Sequence, residues 1–154
     1  MFERYEKPAF SIIGKEGSTD EGEGFIQRLF AEANRDFAQI QPLAKMDKSG
    51  RLPGVWGAMS DKGRSFQPWE NFSEGLYLVG VEVEDDAIPP EGWVKWNMPG
   101  FVYIKVEGST EGLDNFHRGL KYLEERGLTL AGAVQEFNDL RTGQSCTLFP
   151  IERL

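Results

Sequence analysis

Gly75-Leu-Tyr-Leu-Val-Gly-Val-Glu-Val83 is the stretch from which the fold of this chain can be predicted. Its β-branched and aromatic residues indicate a buried β-strand. Because side chains alternate along a strand, the odd-numbered positions form one apolar face, which we expect a helix to cover. The even-numbered face is opened by Gly80 and carries Glu82, and we expect it to be left for a ligand. A half-buried carboxylate needs a hydrogen-bond partner or a function, so Glu82 is the first candidate site residue.

The composition indicates one globular domain. The chain has 154 residues, of which 40% are hydrophobic and 27% are charged, enough to form a substantial core. A net charge of −8 without a Lys/Arg-rich run argues against a nucleic-acid surface, and no apolar run is long enough for a membrane span. The single cysteine, Cys146, excludes an internal disulfide and predicts a cytoplasmic location. Because the chain has one histidine and no phosphate-binding or dinucleotide-binding motif, we predict that it holds no metal and no cofactor.

The two halves of the chain are similar to each other. Three pairs of segments align: residues 8–19 with 99–110, residues 52–61 with 130–139, and residues 78–82 with 148–152. The first pair shares Glu-Gly-Ser-Thr at one constant shift, which is hard to obtain by chance. An internal duplication is therefore the main organisational prediction.

Each half has the pattern of a strand, a helix and two further strands. In the first half the strands are predicted over residues 9–16, 55–60 and 75–83, and the helix over residues 22–41 after a capping box at Ser18 and Glu21. In the second half the strands are predicted over residues 101–107, 132–137 and 146–151. The second helix has an apolar stripe and can end at Gly127; its stripe is formed by Leu113, Phe116, Leu120 and Leu123.

These patterns predict an α+β fold built from two strand–helix–strand–strand modules related by a pseudo-two-fold axis. Module one covers about residues 8–83 and module two about residues 99–152, with a Pro-containing connector at residues 84–98. We expect antiparallel sheets with the helices on one face. A ligand cleft is expected between the modules, lined by the faces opposite the helices, because small-molecule sites commonly form between such units.

The chain resembles the GyrI-like small-molecule-binding domains, which include the effector-binding halves of AraC- and MerR-type multidrug regulators. The resemblance rests on the opening stretch and on Lys7-Pro-Ala-Phe10, Val55-Trp-Gly-Ala-Met-Ser60, Pro90-Glu-Gly-Trp-Val-Lys-Trp96 and Leu148-Phe-Pro-Ile151. It implies an aromatic cleft in which a buried glutamate compensates the positive charge of lipophilic cations. Leu148 stands where the regulators often have a tyrosine. We find no helix-turn-helix pattern in these residues, so they are not expected to act as a transcription factor.

Two glutamates compete for the role of the cleft carboxylate. Glu82 has an alternative interpretation as an end-of-strand acid that reaches solvent or pairs with Lys15 or Lys105. Glu136 lies in mid-strand, and its repeat mate is Ala58, so the duplication supplies no structural partner for it. The repeat alignment also predicts that Glu136 faces Trp56 diagonally across the pseudo-two-fold axis.

The aromatic residues supply the other candidates for ligand contact. Trp69 and Trp93 lie on polar segments, which favours a lid or a cleft wall, whereas core packing is the default for any one ring. The side chain of Tyr103 is expected to point into the ligand cleft. Tyr77 is expected to belong to the odd-numbered apolar face of the opening stretch. The predicted ligand-binding set is Trp56, Trp69, Trp93, Tyr77 and Leu148.

Three functions are compatible with these observations. The first is a small-molecule-binding protein that takes flat, lipophilic and cationic drug-like or toxin-like compounds. The second, implied by stand-alone members of the family, is a hydrolase that opens the cyclopropane ring of DNA-alkylating natural products. Glu82 or Glu136 would then act as general base and Tyr103 as a donor to the developing oxyanion. The third is an acidic protein-interaction module. The sequence makes no prediction of the oligomeric state.

Overall fold

The computed structural model describes residues 2–109 and 112–154. Within this range the chain forms two α-helices and eight strands: β1 (Phe2–Lys7), β2 (Phe10–Ser18), α1 (Phe25–Arg35), β3 (Gly54–Ser60), β4 (Leu76–Val83), β5 (Val94–Met98), β6 (Phe101–Ser109), α2 (Gly112–Glu125), β7 (Gln135–Asp139) and β8 (Ser145–Arg153). Thr110, the last residue of the first repeat match, and the side chain of Leu113 lie outside the description. The predicted α+β fold is confirmed.

The strand order shows the duplication directly. All eight strands form one antiparallel sheet in the order β1-β6-β8-β7-β3-β4-β2-β5. The order is symmetric about the β7–β3 pair, because β6, β7 and β8 occupy the positions that β2, β3 and β4 occupy in the other half. The edge strands β1 and β5 add one strand to each half. Strand β5 lies inside the segment predicted as a connector, which is therefore shorter than expected.

Helix α1 covers the odd-numbered face of β4, as predicted. Its buried residues Phe25, Leu29 and Ala33 pack in one cluster with Tyr77 and with the valines of that strand. The capping box of Ser18 and Glu21 forms, but it caps a short 3-10 turn. The α-helix begins only after Gly24, in the left-handed conformation, and is shorter than predicted.

Helix α2 covers the corresponding face of module two. Leu123 packs with Ile104, Val106 and Phe149 in a second cluster on the helix side of the sheet. The chain leaves the helix at Gly127, whose φ of +67° is the left-handed geometry predicted for it. No helix within the described residues is long and apolar enough to cross a membrane.

The sheet is curled away from the helices into a half-barrel. Lys7 lies on β1 and Glu82 on β4, five strands apart, which corresponds to about 24 Å in a flat sheet. Their side chains nevertheless form a 2.9 Å salt bridge. Gly14 and Gly80 face each other across β2 and β4, and a Cβ at either would meet the neighbouring backbone at 2.3 or 2.1 Å. The strands approach closely there because neither residue has a side chain.

The concave face forms the main core of the domain. It buries apolar side chains from both halves, and its largest members are Phe10, Trp56, Trp96, Phe101 and Tyr103. The even-numbered residues Leu76 and Leu78 of the opening stretch belong to this core. Much of the face that was predicted to be left for a ligand is therefore filled by protein side chains.

Candidate functional site

Two cavities lie on opposite sides of the sheet. The first, called the interhelical pocket below, has a volume of about 240 Å³ and lies on the helix side, between α1 and α2. The second, called the barrel cavity, has a volume of about 290 Å³ and lies on the concave side. Each contains one of the two predicted glutamates, and their chemistry differs.

The interhelical pocket is almost entirely apolar. One side chain comes from each helix, Ile26 from α1 and Phe116 from α2. The remaining walls and the floor are formed by Met59, Pro68, Trp69, Phe72, Val134, Glu136 and Thr147. The pocket therefore lies between the two modules, but on the helix side of the sheet and not on the opposite face, where the ligand cleft was expected.

The position of Glu136 is set by the register of three strands. Glu136 pairs with Gly57 on β3 and with Thr147 on β8, so these residues form a row across the floor. Tyr77, on β4, extends over Gly57, and its hydroxyl lies 3.4 Å from a carboxylate oxygen of Glu136. A Cβ on Gly57 would lie 2.0 Å from the Tyr77 hydroxyl. The absence of a side chain at Gly57 is what allows the phenol to reach the carboxylate.

Glu136 has no cationic partner among the described residues. Burial raises its pKa, and the hydrogen bond from Tyr77 offsets this only in part. Tyr77 is itself 2% exposed, and burial together with Glu136 raises its pKa well above the usual value, so the phenol remains a neutral donor. On the other side of Glu136, the Thr147 hydroxyl is buried without a hydrogen-bond partner within the described part of the chain. A buried carboxylate in such surroundings attracts a cation or a hydrogen-bond donor.

One side of the pocket is covered by the segment between β3 and β4. The indole nitrogen of Trp69 donates to the carbonyl of Leu76 at 3.0 Å, which fixes the ring at the pocket wall. Phe72 is 49% exposed and contacts Phe116 of α2 edge to face, with 5.7 Å between ring centroids. Asn71 and Phe72 both have φ above +50°, an unfavourable conformation for residues other than glycine. This segment joins the two modules over the pocket.

A wider groove lies along the same face of β7 and β3. Its volume is about 640 Å³, and Asn138 and Val55 lie on its floor, two residues beyond Glu136 and Gly57. Phe30 and Phe37 form part of the wall beside α1. The helix side of the two central strands therefore offers apolar surface on both sides of the Tyr77–Glu136 pair.

The barrel cavity has a different electrostatic character. Glu82 lines it and forms salt bridges with Lys7 at 2.9 Å and with Lys45 at 3.5 Å. Lys7 also lies 4.4 Å from the centroid of the Phe10 ring, which holds the ammonium against the concave core. Glu82 thus has partners, although they are not the Lys15 or Lys105 that the sequence suggested.

The structure divides the predicted site residues between these regions. Glu136, Tyr77 and Trp69 come together in or beside the interhelical pocket. Glu82, Trp56 and Leu148 line the barrel cavity. The remaining two candidates line neither cavity: Tyr103 is fully buried in the concave core, and Trp93 packs beside α1, where its indole donates to Gln39.

Two geometric expectations were wrong. Trp56 pairs with Phe137 on the concave face, whereas Glu136 lies on the helix side, so the indole and the carboxylate do not face each other. The Tyr103 hydroxyl is enclosed on the concave side and does not look into an open groove with Glu136. The first error arises because the repeat alignment of β3 with β7 is out of step by one residue, and such a slip exchanges the faces of a strand. The second has another cause: Tyr103 does lie on the face opposite the helices, but protein side chains fill that face.

Sequence reasoning missed most of the apolar lining of the interhelical pocket. Met59, Ile26 and Phe116 belong to the apolar patterns that predicted the strand and the helices, and such residues are expected to pack in the core, so nothing in the sequence marks them as pocket lining. Phe72 could have been found, because it lies with Trp69 on an otherwise polar segment. No group of three or more His, Cys, Asp or Glu side chains within the described ranges could hold a metal ion.

Solved structures show which proteins share this fold. SAV2435, solved in complex with tetraphenylphosphonium, is 14% identical, with a TM-score of 0.66 over 99% of this chain and 94% of that one. The C-terminal domain of EcmrR is also 14% identical, with a TM-score of 0.67 over 100% and 98% of the two chains. A hydrolase from Listeria innocua is 13% identical, with a TM-score of 0.52 over 98% and 91%. Neither a family model nor a curated protein sequence matches the chain. At these identities the similarity shows the fold, and it confirms the fold implied by the resemblance to GyrI-like domains.

Proposed function

We propose that the protein binds flat, lipophilic cations in the interhelical pocket, with Glu136 as the charge partner. The observation that carries the proposal is the combination of an apolar wall and one buried carboxylate without a cation of its own. A lipophilic cation satisfies both features, because its rings bury apolar area while its charge compensates the carboxylate. SAV2435, which has the same fold, was solved with tetraphenylphosphonium, which is a lipophilic aromatic cation although it is not flat.

The residues around Glu136 have separate roles in this proposal. Tyr77 donates to Glu136 and holds the carboxylate toward the pocket. Trp69 and Phe116 line the pocket with aromatic rings, which are suited to stacking on a flat ligand and to cation–π contact. Phe72 closes the pocket from the solvent side. Binding then depends on positive charge as well as on apolar area.

Isothermal titration calorimetry with tetraphenylphosphonium tests this proposal. The wild-type protein should bind saturably, and triphenylmethanol, a neutral compound with similar rings, should bind at least about ten-fold more weakly, equivalent to about 1.4 kcal/mol. Glu136→Gln should reduce the affinity for the cation and leave that for the neutral compound nearly unchanged. Glu125→Gln, an exposed change on α2, is the control for net charge. Equal binding of the two compounds, or equal effects of the two substitutions, would contradict the proposal.

A hydrolase is the second candidate, and one observation favours it. The 3.4 Å contact between the Tyr77 hydroxyl and Glu136 places a potential oxyanion donor beside a potential general base. In this version Tyr77 takes the role that the sequence assigned to Tyr103. Chromatographic detection of ring-opened product from a cyclopropane-bearing alkylator separates the two functions. Product that disappears in Glu136→Gln would support catalysis, whereas binding of the alkylator without product would leave only the binding function.

A further inference from the structure

One polar group of the interhelical pocket has no role in the proposed function. Thr147 lines this pocket and is 1% exposed, and its hydroxyl makes no hydrogen bond within the described part of the chain. A hydroxyl can both donate and accept, and leaving it buried without a partner costs free energy. Because buried polar groups in native proteins are nearly always paired, the Thr147 hydroxyl indicates that a partner from outside the chain is expected here.

The neighbours of Thr147 in the sheet explain why its hydroxyl is unpaired. Thr147 lies opposite Val106 of β6 on one side and opposite Glu136 of β7 on the other. Val106 is buried in the apolar cluster under α2, and so is Phe149, which lies two residues along β8 on the same face. In this part of the sheet the polar side chain beside Thr147 is therefore that of Glu136.

Glu136 and Thr147 lie side by side but share no hydrogen bond. Directly opposite residues of an antiparallel pair have Cβ atoms about 4.5–5.5 Å apart, and both of these side chains line the pocket. The Glu136 carboxylate accepts from the Tyr77 hydroxyl at 3.4 Å, whereas the Thr147 hydroxyl has no partner among the described residues. The pocket therefore presents a carboxylate and a hydroxyl next to each other, and a ligand group between them can bond to both.

Two neighbouring oxygen acceptors, one of them charged, match a cation that carries more than one N–H group. A quaternary ammonium or phosphonium ion compensates the charge of Glu136 but has no donor for Thr147. An amidinium has N–H groups on two nitrogen atoms that project side by side in one plane, as they do in the guanidinium of arginine. An aryl amidine joins this group directly to an aromatic ring, which suits the rings of Trp69 and Phe116.

We propose that the interhelical pocket prefers aromatic cations with N–H donors, of the aryl amidine class, over quaternary cations. One N–H group donates to the Glu136 carboxylate and another donates to the Thr147 hydroxyl, while the ring packs against Trp69 and Phe116. The inference rests on the proposed function and adds the class of cation to it. Glu136 selects for positive charge, and Thr147 distinguishes between cations of equal charge. Quaternary cations still bind, but they leave the Thr147 hydroxyl unpaired.

Calorimetric titration with 2-naphthamidine tests this preference, with the 2-naphthyl trimethylammonium ion as its counterpart. The two ligands share the ring and, at neutral pH, the charge, but only the amidinium has N–H donors. The wild type should bind the amidinium at least about ten-fold more tightly. Thr147→Val, which removes the hydroxyl and keeps the branched shape, should reduce this preference about ten-fold. Thr147→Ser, which keeps a hydroxyl, should retain most of it.

Thr129→Val, at an exposed position after α2, is the matched control and should leave the preference unchanged. Circular dichroism establishes that each variant is folded. Thermal unfolding without ligand gives a second measurement, because a hydroxyl that has no partner in the protein contributes no hydrogen bond to the fold. Thr147→Val should therefore not lower the unfolding temperature, whereas removal of a hydroxyl bonded within the protein would lower it.

Tetraphenylphosphonium, which has no N–H group, separates this inference from the proposed function. If the wild type binds tetraphenylphosphonium through Glu136 but shows no preference for the amidinium, the inference is overturned and the proposed function stands. A preference that persists in Thr147→Val, an equal loss in Thr129→Val, or a lower unfolding temperature of Thr147→Val would also overturn it. Binding of the amidinium that depends on Thr147, without any binding of tetraphenylphosphonium, would contradict the proposed function alone.

Discussion

Glu82 and Glu136 are the same residue type on the same sheet, yet their electrostatic surroundings differ. Glu82 lies on the concave side and is neutralised by Lys7 and Lys45, so it links the edge strand β1 to β4, five strands away in the curled sheet. Glu136 lies on the helix side with a neutral tyrosine as its closest polar contact. A carboxylate whose counterion is internal stabilises the fold, whereas one without a counterion is available to a ligand.

The largest effect is expected where the Tyr77–Glu136 contact depends on a missing side chain. Gly57→Ala places a Cβ 2.0 Å from the Tyr77 hydroxyl, so the ring has to move away from Glu136. We expect a loss of about 1–3 kcal/mol in the free energy of unfolding, the usual cost of overpacking, together with loss of cation binding. Urea denaturation and calorimetry measure the two effects. The double variant Gly57→Ala with Tyr77→Phe should recover part of the stability, and no recovery would contradict the steric explanation.

The next effect concerns the paired glutamate. Glu82→Gln removes the charge that Lys7 and Lys45 share and leaves two ammonium groups close together. Because both side chains of the Lys7–Glu82 bridge are partly exposed, we expect a loss of about 1–2 kcal/mol, less than for a fully buried pair. Chemical denaturation measures it, and high salt should reduce the difference. A Glu82→Gln protein as stable as the wild type would mean that the bridge does not hold the sheet closed.

Glu136→Gln should not lower the free energy of unfolding at neutral pH, in contrast to Glu82→Gln. Burial raises the pKa of Glu136 in the folded state, so the unfolded state releases this proton more readily. Stability from this group is fully present below the unfolded pKa and is lost as the pH rises through the folded pKa. At neutral pH Glu136→Gln should therefore leave stability unchanged or raise it, within about 1 kcal/mol. Thermal unfolding between pH 4 and 8 measures this. The stability of the wild type should fall with rising pH because of Glu136, and Glu136→Gln should lack this part of the fall.

The smallest effect on stability is expected at the segment over the pocket. Phe72 is half exposed, so Phe72→Ala should cost well under the roughly 3–5 kcal/mol of a buried aromatic. Its contact with Phe116 closes the pocket, so dissociation of tetraphenylphosphonium should become faster. Stopped-flow tryptophan fluorescence measures the rate. An unchanged rate would show that Phe72 does not cover the bound ligand.

The sequence was sufficient to predict the fold because its signals are redundant. The alternation in Gly75–Val83 assigned Tyr77 and the other odd-numbered residues to the helix face. The shared Glu-Gly-Ser-Thr indicated the two modules. The relative register of β3 and β7 was not predictable, because the repeat match there rests on few identities. That one-residue error placed Glu136 with Trp56 on one face. The partners of Glu82 were equally hidden, since Lys7 reaches it only through the curl of the whole sheet.

The pH dependence of tetraphenylphosphonium binding tests the central claim most directly. The charge of this ligand is permanent, so any change in affinity reports on the protein. If Glu136 is the charge partner, the affinity of the wild type should rise as the pH increases through the pKa of Glu136, and that of Glu136→Gln should not change over this transition. Glu82→Gln should retain the wild-type profile. The claim would be contradicted by a profile that persists in Glu136→Gln or disappears in Glu82→Gln.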